Sequence, residues 1–253
     1  MIIVKKETDL EKQLKQLNRK NNLYQFLNLS TLFGGIIYSF IVQNPIPFII
    51  CLIISQTLIR YNWRKITNKR YEISSGVQGE QATTRQLNYL SDDWYLFNDL
   101  VVTFQDKESL IDHVVIGPHG VFIIESKNWN GHILPTSNKE RVRQDKMIGG
   151  KYISTEHYNP ISQVRTHVFR LSNFLIEKGI NTWVQGCVYF NHFEGKVHLQ
   201  DDRIPVFSHP ELFFKFIDEN PNSQNLNREQ INHIVDILKK RIKKITHEKM
   251  ALH

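Results

Sequence analysis

The sequence predicts an α/β domain with a mixed central sheet flanked by helices, preceded by a two-helix membrane anchor. Three observations carry this expectation. Residues 111–131 hold two short apolar, β-branched runs on either side of Gly117, Pro118, His119 and Gly120, the pattern of two strands joined by a tight loop. Behind Asn159 and Pro160, apolar side chains recur at helical spacing through Leu175. Finally, no Asp, Glu, Lys, Arg or His occurs from Phe26 to Ile59. Strands alternating with helices in this way point to the α/β class.

The hairpin can be counted. With a four-residue loop, Ile116 faces Val121, Val114 faces Ile123 and Asp112 faces Glu125. Alternation sets Asp112, Val114 and Ile116 on one face with Val121, Ile123, Glu125 and Lys127. The other face carries Ile111, Val115, Phe122 and Ile124, so both strands are expected in the interior, covered on both sides. Two carboxylates would then lie roughly 5 Å apart at Cβ, with an ammonium one step along. Like charges buried side by side are unfavourable unless they share a proton or bind a cation. The competing reading has Asp112 at a strand start and Glu125 with Lys127 as an exposed ion pair at a strand end. The opposed register and apolar surroundings favour a built site, with Trp129, Asn130 and Gly131 turning the chain just beyond it.

Composition sets wider bounds. The chain of 253 residues is long enough for one large domain or two small ones. Its net charge of +7 and pI of about 9.3 favour an anionic partner, nucleic acid or a lipid surface. Cys51 and Cys187 form no disulfide framework or zinc knuckle, and the histidines show no His-x3-His spacing.

Five segments are expected. Residues 1–22 read as a charged, cytoplasmic amphipathic helix with Leu10, Leu14 and Leu17 on one side. Residues 23–63 read as a membrane hairpin of two short helices, about 23–42 and 46–63, broken at Asn44 and Pro45. Arg19 and Lys20 before it, and Arg60, Arg64, Lys65, Lys69 and Arg70 after it, place both ends in the cytoplasm. A soluble buried pair and a re-entrant hairpin that never crosses are the alternatives. Residues 64–75 form a linker, residues 76–190 the main domain, and residues 191–253 further strands and helices on the same domain.

Within the main domain a helix is expected over 80–90, with Glu80 in its first turn, and a strand over 94–102 interrupted at Asn98 and Asp99. Residues 134–153 read as a strand and then a loop within reach of substrate, carrying Lys139, Arg141, Arg143, Lys146 and Lys151. A helix over 159–177 places Gln163, His167 and Arg170 near one another. Strands follow over 184–190, 196–199 and 203–207, and helices over 210–217 and 227–245. The last ends in a basic tail of Lys239, Lys240, Arg241, Lys243 and Lys244.

Gly79-Glu80, the run Ile111-Asp112-His113-Val114-Val115-Ile116-Gly117, the run from Gly120 through Glu125-Ser126-Lys127-Asn128-Trp129-Asn130-Gly131, and Asn159-Pro160-Ile161-Ser162-Gln163 together resemble the nuclease-related domain, NERD. That family is grouped with the PD-(D/E)xK nucleases, and the resemblance covers about residues 76–190. It implies that Asp112 and Glu125 bind a metal ion, that Glu80 completes the metal site, and that Lys127 positions or helps activate the attacking water. Gln163 resembles the helical glutamine of a Gln-x-x-x-Tyr pattern, with His167 standing at the tyrosine position and Ile111 replacing the proline before Asp112. The implied protein is a membrane-anchored nuclease that uses Mg²⁺ or Mn²⁺ on nucleic acid, DNA foremost. Hard carboxylate oxygens suit those ions, and no soft-ligand cluster competes. The rivals are a non-catalytic, membrane-tethered nucleic-acid-binding module and a scaffold that binds anionic lipid. The complete set of Glu80, Asp112, Glu125 and Lys127 favours the enzyme.

Overall fold

The computed structural model describes residues 1–4, 7–219 and 225–251, with backbone alone at 58–65 and 243–251. The elements run β1 (Ile2–Ile3), α1 (Asp9–Ile41), α2 (Ile46–Leu87), β2 (Tyr95–Phe104), β3 (Lys107–Gly117), β4 (Gly120–Lys127), β5 (Gly131–Pro135), β6 (Arg141–Ile148), β7 (Lys151–Tyr158), α3 (Pro160–Glu177), β8 (Val184–Phe190), β9 (Gly195–Val197), β10 (Val206–Phe207), α4 (Pro210–Asp218) and α5 (Arg228–Ala251). They divide into a helical unit, Asp9–Val77, and an α/β unit, Met1–Thr8 with Gln78–His253.

In the helical unit, α1 and α2 form a hairpin that turns at Asn44 and Pro45, where the Asn44 Oδ1 accepts from the Ile46 N–H at 3.0 Å. The expected membrane anchor is not supported, because no helix of the described residues is long and apolar enough to cross a membrane. An uncharged run is not the same as an apolar one: Asn28, Ser30, Thr31 and Ser39 dilute α1. The expected linker is also corrected, since residues 64–75 lie inside α2. Ser74, Ser75 and Gly76 read as breakers, but isolated small residues lower helix stability by only about 1 kcal/mol each and do not stop a helix. Nor is 1–22 a separate helix; Ile2 and Ile3 are an edge strand and α1 runs from Asp9 into the apolar stretch. Arg60, Arg64, Lys65, Lys243 and Lys244 of the expected basic flanks carry side chains outside the described residues.

The α/β unit is built on a mixed sheet in the order β1-β2-β3-β4-β8-β10, flanked by helices as expected. β2, β3 and β4 form an antiparallel meander, while β1, β8 and β10 add in parallel. Both faces of β3 and β4 are covered. On one side Val114, Ile116, Val121 and Ile123 pack with Leu171 and Leu175 of α3 and with Ile231, Val235 and Leu238 of α5. On the other side Val115, Phe122 and Ile124 meet Leu87 of α2 and Phe213 and Ile217 of α4. Burying Phe122, Ile123 and Ile124 completely is worth roughly 1.5–3 kcal/mol each, which pins the hairpin's register. α3 begins where its sequence signals: Asn159 caps it by accepting from the Ile161 N–H at 3.0 Å, and Pro160 sits in its first turn.

The segment expected as a strand and a loop is instead most of a second sheet, ordered β7-β6-β5-β9. β6 and β7 pair along their full length, from Arg141 against Tyr158 to Ile148 against Lys151. The turn between them is Gly149-Gly150, with φ of +56° and +77°, the pair of positive values that a tight two-residue hairpin of native twist requires.

Candidate active site

The site forms where the meander opens. β3 and β4 pair from Gly117 against Gly120 to His113 against Ile124, with Ile116 on Val121 and Val114 on Ile123 as counted from sequence. The ladder stops there. β4 continues through Glu125, Ser126 and Lys127 beside Val188, Tyr189 and Phe190 of β8, while β3 parts from it. The β2–β3 pairing also skips the same level, at Asp99, whose φ is +47°. Asp112 therefore sits one residue beyond the last rung. Its Oδ2 accepts from the Ser126 N–H at 3.3 Å, in place of a strand partner. The expected direct pairing of Asp112 with Glu125 is thus not made, since the ladder ends one rung before it.

Glu125 and Lys127 project from the same side of β4 because they are two residues apart. Lys127 Nζ donates to Glu125 Oε1 at 2.5 Å and to Gln163 Oε1 at 3.5 Å. Gln163 arrives on the first turn of α3, and His167, one turn on, holds its Nε2 3.6 Å from Glu125 Oε2. Glu80 comes from the last part of α2 and is buried. That helix approaches closely at Gly79, where a Cβ would lie 2.8 Å from the Asn128 Cβ. Asn191 fastens it, donating to the Gly79 carbonyl at 2.7 Å and to Thr83 Oγ1 at 3.0 Å. Glu80, Asp112, Glu125, Lys127 and Gln163 are all brought to one place. His167 and Asn191 join them. His167 had a helical-spacing signal four residues after Gln163; Asn191 had none.

Glu125 is 1% exposed, which removes the alternative of a solvent-facing ion pair at a strand end. The charges are strongly interdependent. Burial, and then the Glu125 carboxylate, push Asp112 well above the usual aspartate range, against a smaller pull from Lys127. Burial alone would raise Glu125 too, but the Lys127 ammonium and His167 bring it below its usual value. Burial works against the Lys127 charge, yet Glu125 and Asp112 together raise its pKa. The pair of acids thus carries one proton more readily than two separate carboxylates would, with Asp112 pushed up and Glu125 held down. Glu125 Oε2 has no hydrogen-bond partner among the described residues, although it is buried. Behind the site, His113 is bonded to Asn98 Oδ1 at 2.7 Å, and burial lowers its pKa to about 4, so it is neutral at physiological pH.

Beyond Lys127 the chain turns at Trp129. The Lys127 Nζ lies 5.8 Å from the centre of that indole, which packs on His157 at 4.4 Å and Phe190 at 5.8 Å. Gly131 ends the turn with φ of +76°, and a Cβ there would meet the Asp145 carbonyl at 2.3 Å, so only glycine fits. Among the described residues, no group of three His, Cys, Asp or Glu side chains is placed to hold a metal ion. An open pair of carboxylates is nonetheless the donor set Mg²⁺ uses, since it keeps several waters and takes one or two protein carboxylates plus substrate phosphate. A raised Asp112 and a buried Glu125 oxygen whose nearest partner is His167 at 3.6 Å fit such a cation.

Acids and a lysine thus meet where β3 parts from β4, on a mixed sheet flanked by helices. Residues 75–191 match the family model of the nuclease-related domain, and the chain carries a NERD domain over that stretch, a family of the PD-(D/E)xK-like nuclease superfamily. An uncharacterized protein of Bacillus anthracis is 28% identical over 218 residues, covering 79% of this chain and 96% of that relative. No solved structure matches.

Proposed function

We propose that the α/β unit is a divalent-metal-dependent nuclease that hydrolyses phosphodiester bonds in nucleic acid, DNA foremost. The observation that carries this reading is Glu125, sealed from solvent beside a raised Asp112 and bonded to Lys127. Asp112 and Glu125 would hold Mg²⁺ or Mn²⁺, and Glu80 would add negative charge beside them. Such an ion, when bound, supplies an acidified water and neutralises charge on the phosphoryl oxygen. The chain's own residues do the rest. Lys127, charged and aimed by Glu125 and Gln163, orients the attacking water and counters charge developing on the phosphate. Gln163 fixes the lysine from α3, and Lys127, with His167 beside it, holds Glu125 below its usual value against burial. A non-catalytic binder would not need this buried, mutually repelling pair to stay complete.

The test is an assay of the full chain on labelled single- and double-stranded DNA and RNA with Mg²⁺, Mn²⁺ or EDTA. Cleavage is expected with either metal and should stop in EDTA, returning when Mg²⁺ exceeds the chelator. Cleavage that persists in EDTA would refute metal dependence, and failure to cut any member of the panel would refute the nuclease.

The helical unit supports a second, separate reading. Its seam is made of small and polar groups: Gly35 lies against Cys51, the Ser39 Oγ accepts from the Phe48 N–H at 2.8 Å, and Ser55 bonds to Asn28. Its outside is apolar, with Phe26, Phe33, Ile37, Phe40 and Ile53 exposed. Outward hydroxyls bond back to their own helix, Ser30 to the Phe26 carbonyl and Thr31 to that of Leu27. Small residues inside and large apolar ones outside is the packing order of helices in lipid. We infer that this hairpin lies in one leaflet of a bilayer without crossing it. The full chain should float with phosphatidylcholine vesicles in high salt, and the variant with Phe26, Phe33 and Phe40 all replaced by serine should not. A wild-type chain that stays at the bottom of the gradient would reject the inference.

A further inference from the structure

β6 pairs with β5 as far as Asp145; beyond it β6 and β7 continue alone as a two-stranded ribbon, whose inner end is built into the site and whose outer end stands free. At the inner end Gln144 donates to the Asn130 carbonyl at 2.8 Å, and His157 stacks on Trp129. Outward from there the burial falls away, until Ile148, Lys151 and Ile153 are exposed. Alternation separates the two faces of the ribbon. One face carries Arg141 and Arg143 with Glu156 and Asp145, and these charges neutralise each other: Arg141 lies 3.6 Å from Glu156, and Arg143 lies 3.1 Å from Asp145. The other face, the one continuous with Trp129, runs Val142 and His157, Gln144 and Thr155, Lys146 and Ile153, then Ile148 and Lys151. It carries two lysines and no acid. Among the described residues neither Lys146 nor Lys151 has an ion pair, whereas both arginines of the opposite face do.

We propose that this lysine face of the ribbon is the arm that holds a nucleic-acid strand beside the site, with Lys146 and Lys151 each taking a backbone phosphate. This rests on the nuclease reading for its substrate class and adds where the strand runs. Lys146 and the Ile148–Lys151 rung are two residues apart, roughly 7 Å along the ribbon, a spacing suited to successive phosphates of one strand. The contacts read charge and spacing, so they position a strand without selecting its sequence. A two-stranded ribbon is also narrow enough to lie in the major groove of a duplex.

The experiment measures binding, not cleavage. A fluorescein-labelled DNA duplex is titrated with the full chain in EDTA across a series of NaCl concentrations, using wild type, the K146A/K151A double variant and K146R/K151R. Each lost phosphate contact should reduce the slope of log affinity against log salt by about 0.9, so the alanine variant should lose roughly 1.8 while the arginine variant keeps the wild-type slope. An alanine variant with the wild-type slope, or a wild type that does not bind the duplex, overturns the arm. The two readings separate cleanly. A wild type that cuts DNA beside an unchanged slope sinks the arm alone. A slope that falls as stated in a chain that never cuts sinks the nuclease alone.

Discussion

Asp112→Asn is expected to lower metal-dependent cleavage by about 10³-fold or more, roughly 4 kcal/mol of transition-state stabilisation, while making the metal-free fold more stable. The two effects share one cause. Asn keeps the shape and can still accept from the Ser126 N–H, but it removes the charge that burial and Glu125 oppose. The pH dependence carries the sign. A carboxyl raised in the folded state contributes stability that is fully present below the unfolded pKa and is lost as pH rises through the folded one. Without metal, the wild type should therefore weaken from about the usual aspartate range upward, and Asp112→Asn should abolish that decline. At neutral pH and without metal the variant should be the more stable of the two, because burial and Glu125 oppose the charge that it lacks. Urea denaturation in EDTA from acid to neutral pH checks this. Added Mn²⁺ should reverse the ranking, because a ligand that binds only the folded wild type stabilises it by mass action. A variant that is less stable than wild type in EDTA would mean that Asp112 is a structural partner and not a strained ligand.

Glu125→Ala should fail in a different way. Glu125 lies against Lys127 with almost no solvent access, and removing one member of a buried ion pair leaves the other charge uncompensated. The penalty is typically 3–5 kcal/mol; Asp112 remains to face the ammonium, so about 3 kcal/mol is expected. For a unit of this size that is a fall in Tm of roughly 6–12 °C. Lys127→Met in the same chain should recover part of the loss, so that the double variant is more stable than the sum of the singles by at least about 1 kcal/mol. Additive losses would show that the two side chains do not depend on each other. Glu125→Gln is the variant for kinetics, since it removes the charge without the volume.

How much of this could be read from the chain follows from where neighbours are local. The register of β3 and β4 was set by a four-residue loop and alternating apolar residues, so Ile116 on Val121 and Val114 on Ile123 were countable. The start of α3 was equally local, an Asn159 cap with Pro160 behind it. The splay at Asp112 was not, because a ladder's end depends on which strand lies on its other side, here β8. The β6–β7 ribbon gave no alternation to read, since most of it has water on both faces. The long reach of α2 through Ser74, Ser75 and Gly76 was hidden because helix interiors tolerate such residues. The hairpin's polarity misled in a simpler way: counting charges missed the Asn, Ser and Thr side chains that form its seam or bond back onto its helices.

The central claim is that Asp112 and Glu125 accept each other's charge because a divalent cation belongs between them. Calorimetric titration of Mn²⁺ into the full chain, run near neutral pH in two buffers of different ionisation enthalpy, tests it most directly. Wild type should bind one ion and release protons as it does so, because burial raises Asp112 and a bound cation favours its charged form. Asp112→Asn should bind the ion far more weakly and release none. Equal affinity in both proteins, or binding without proton release, would contradict the account.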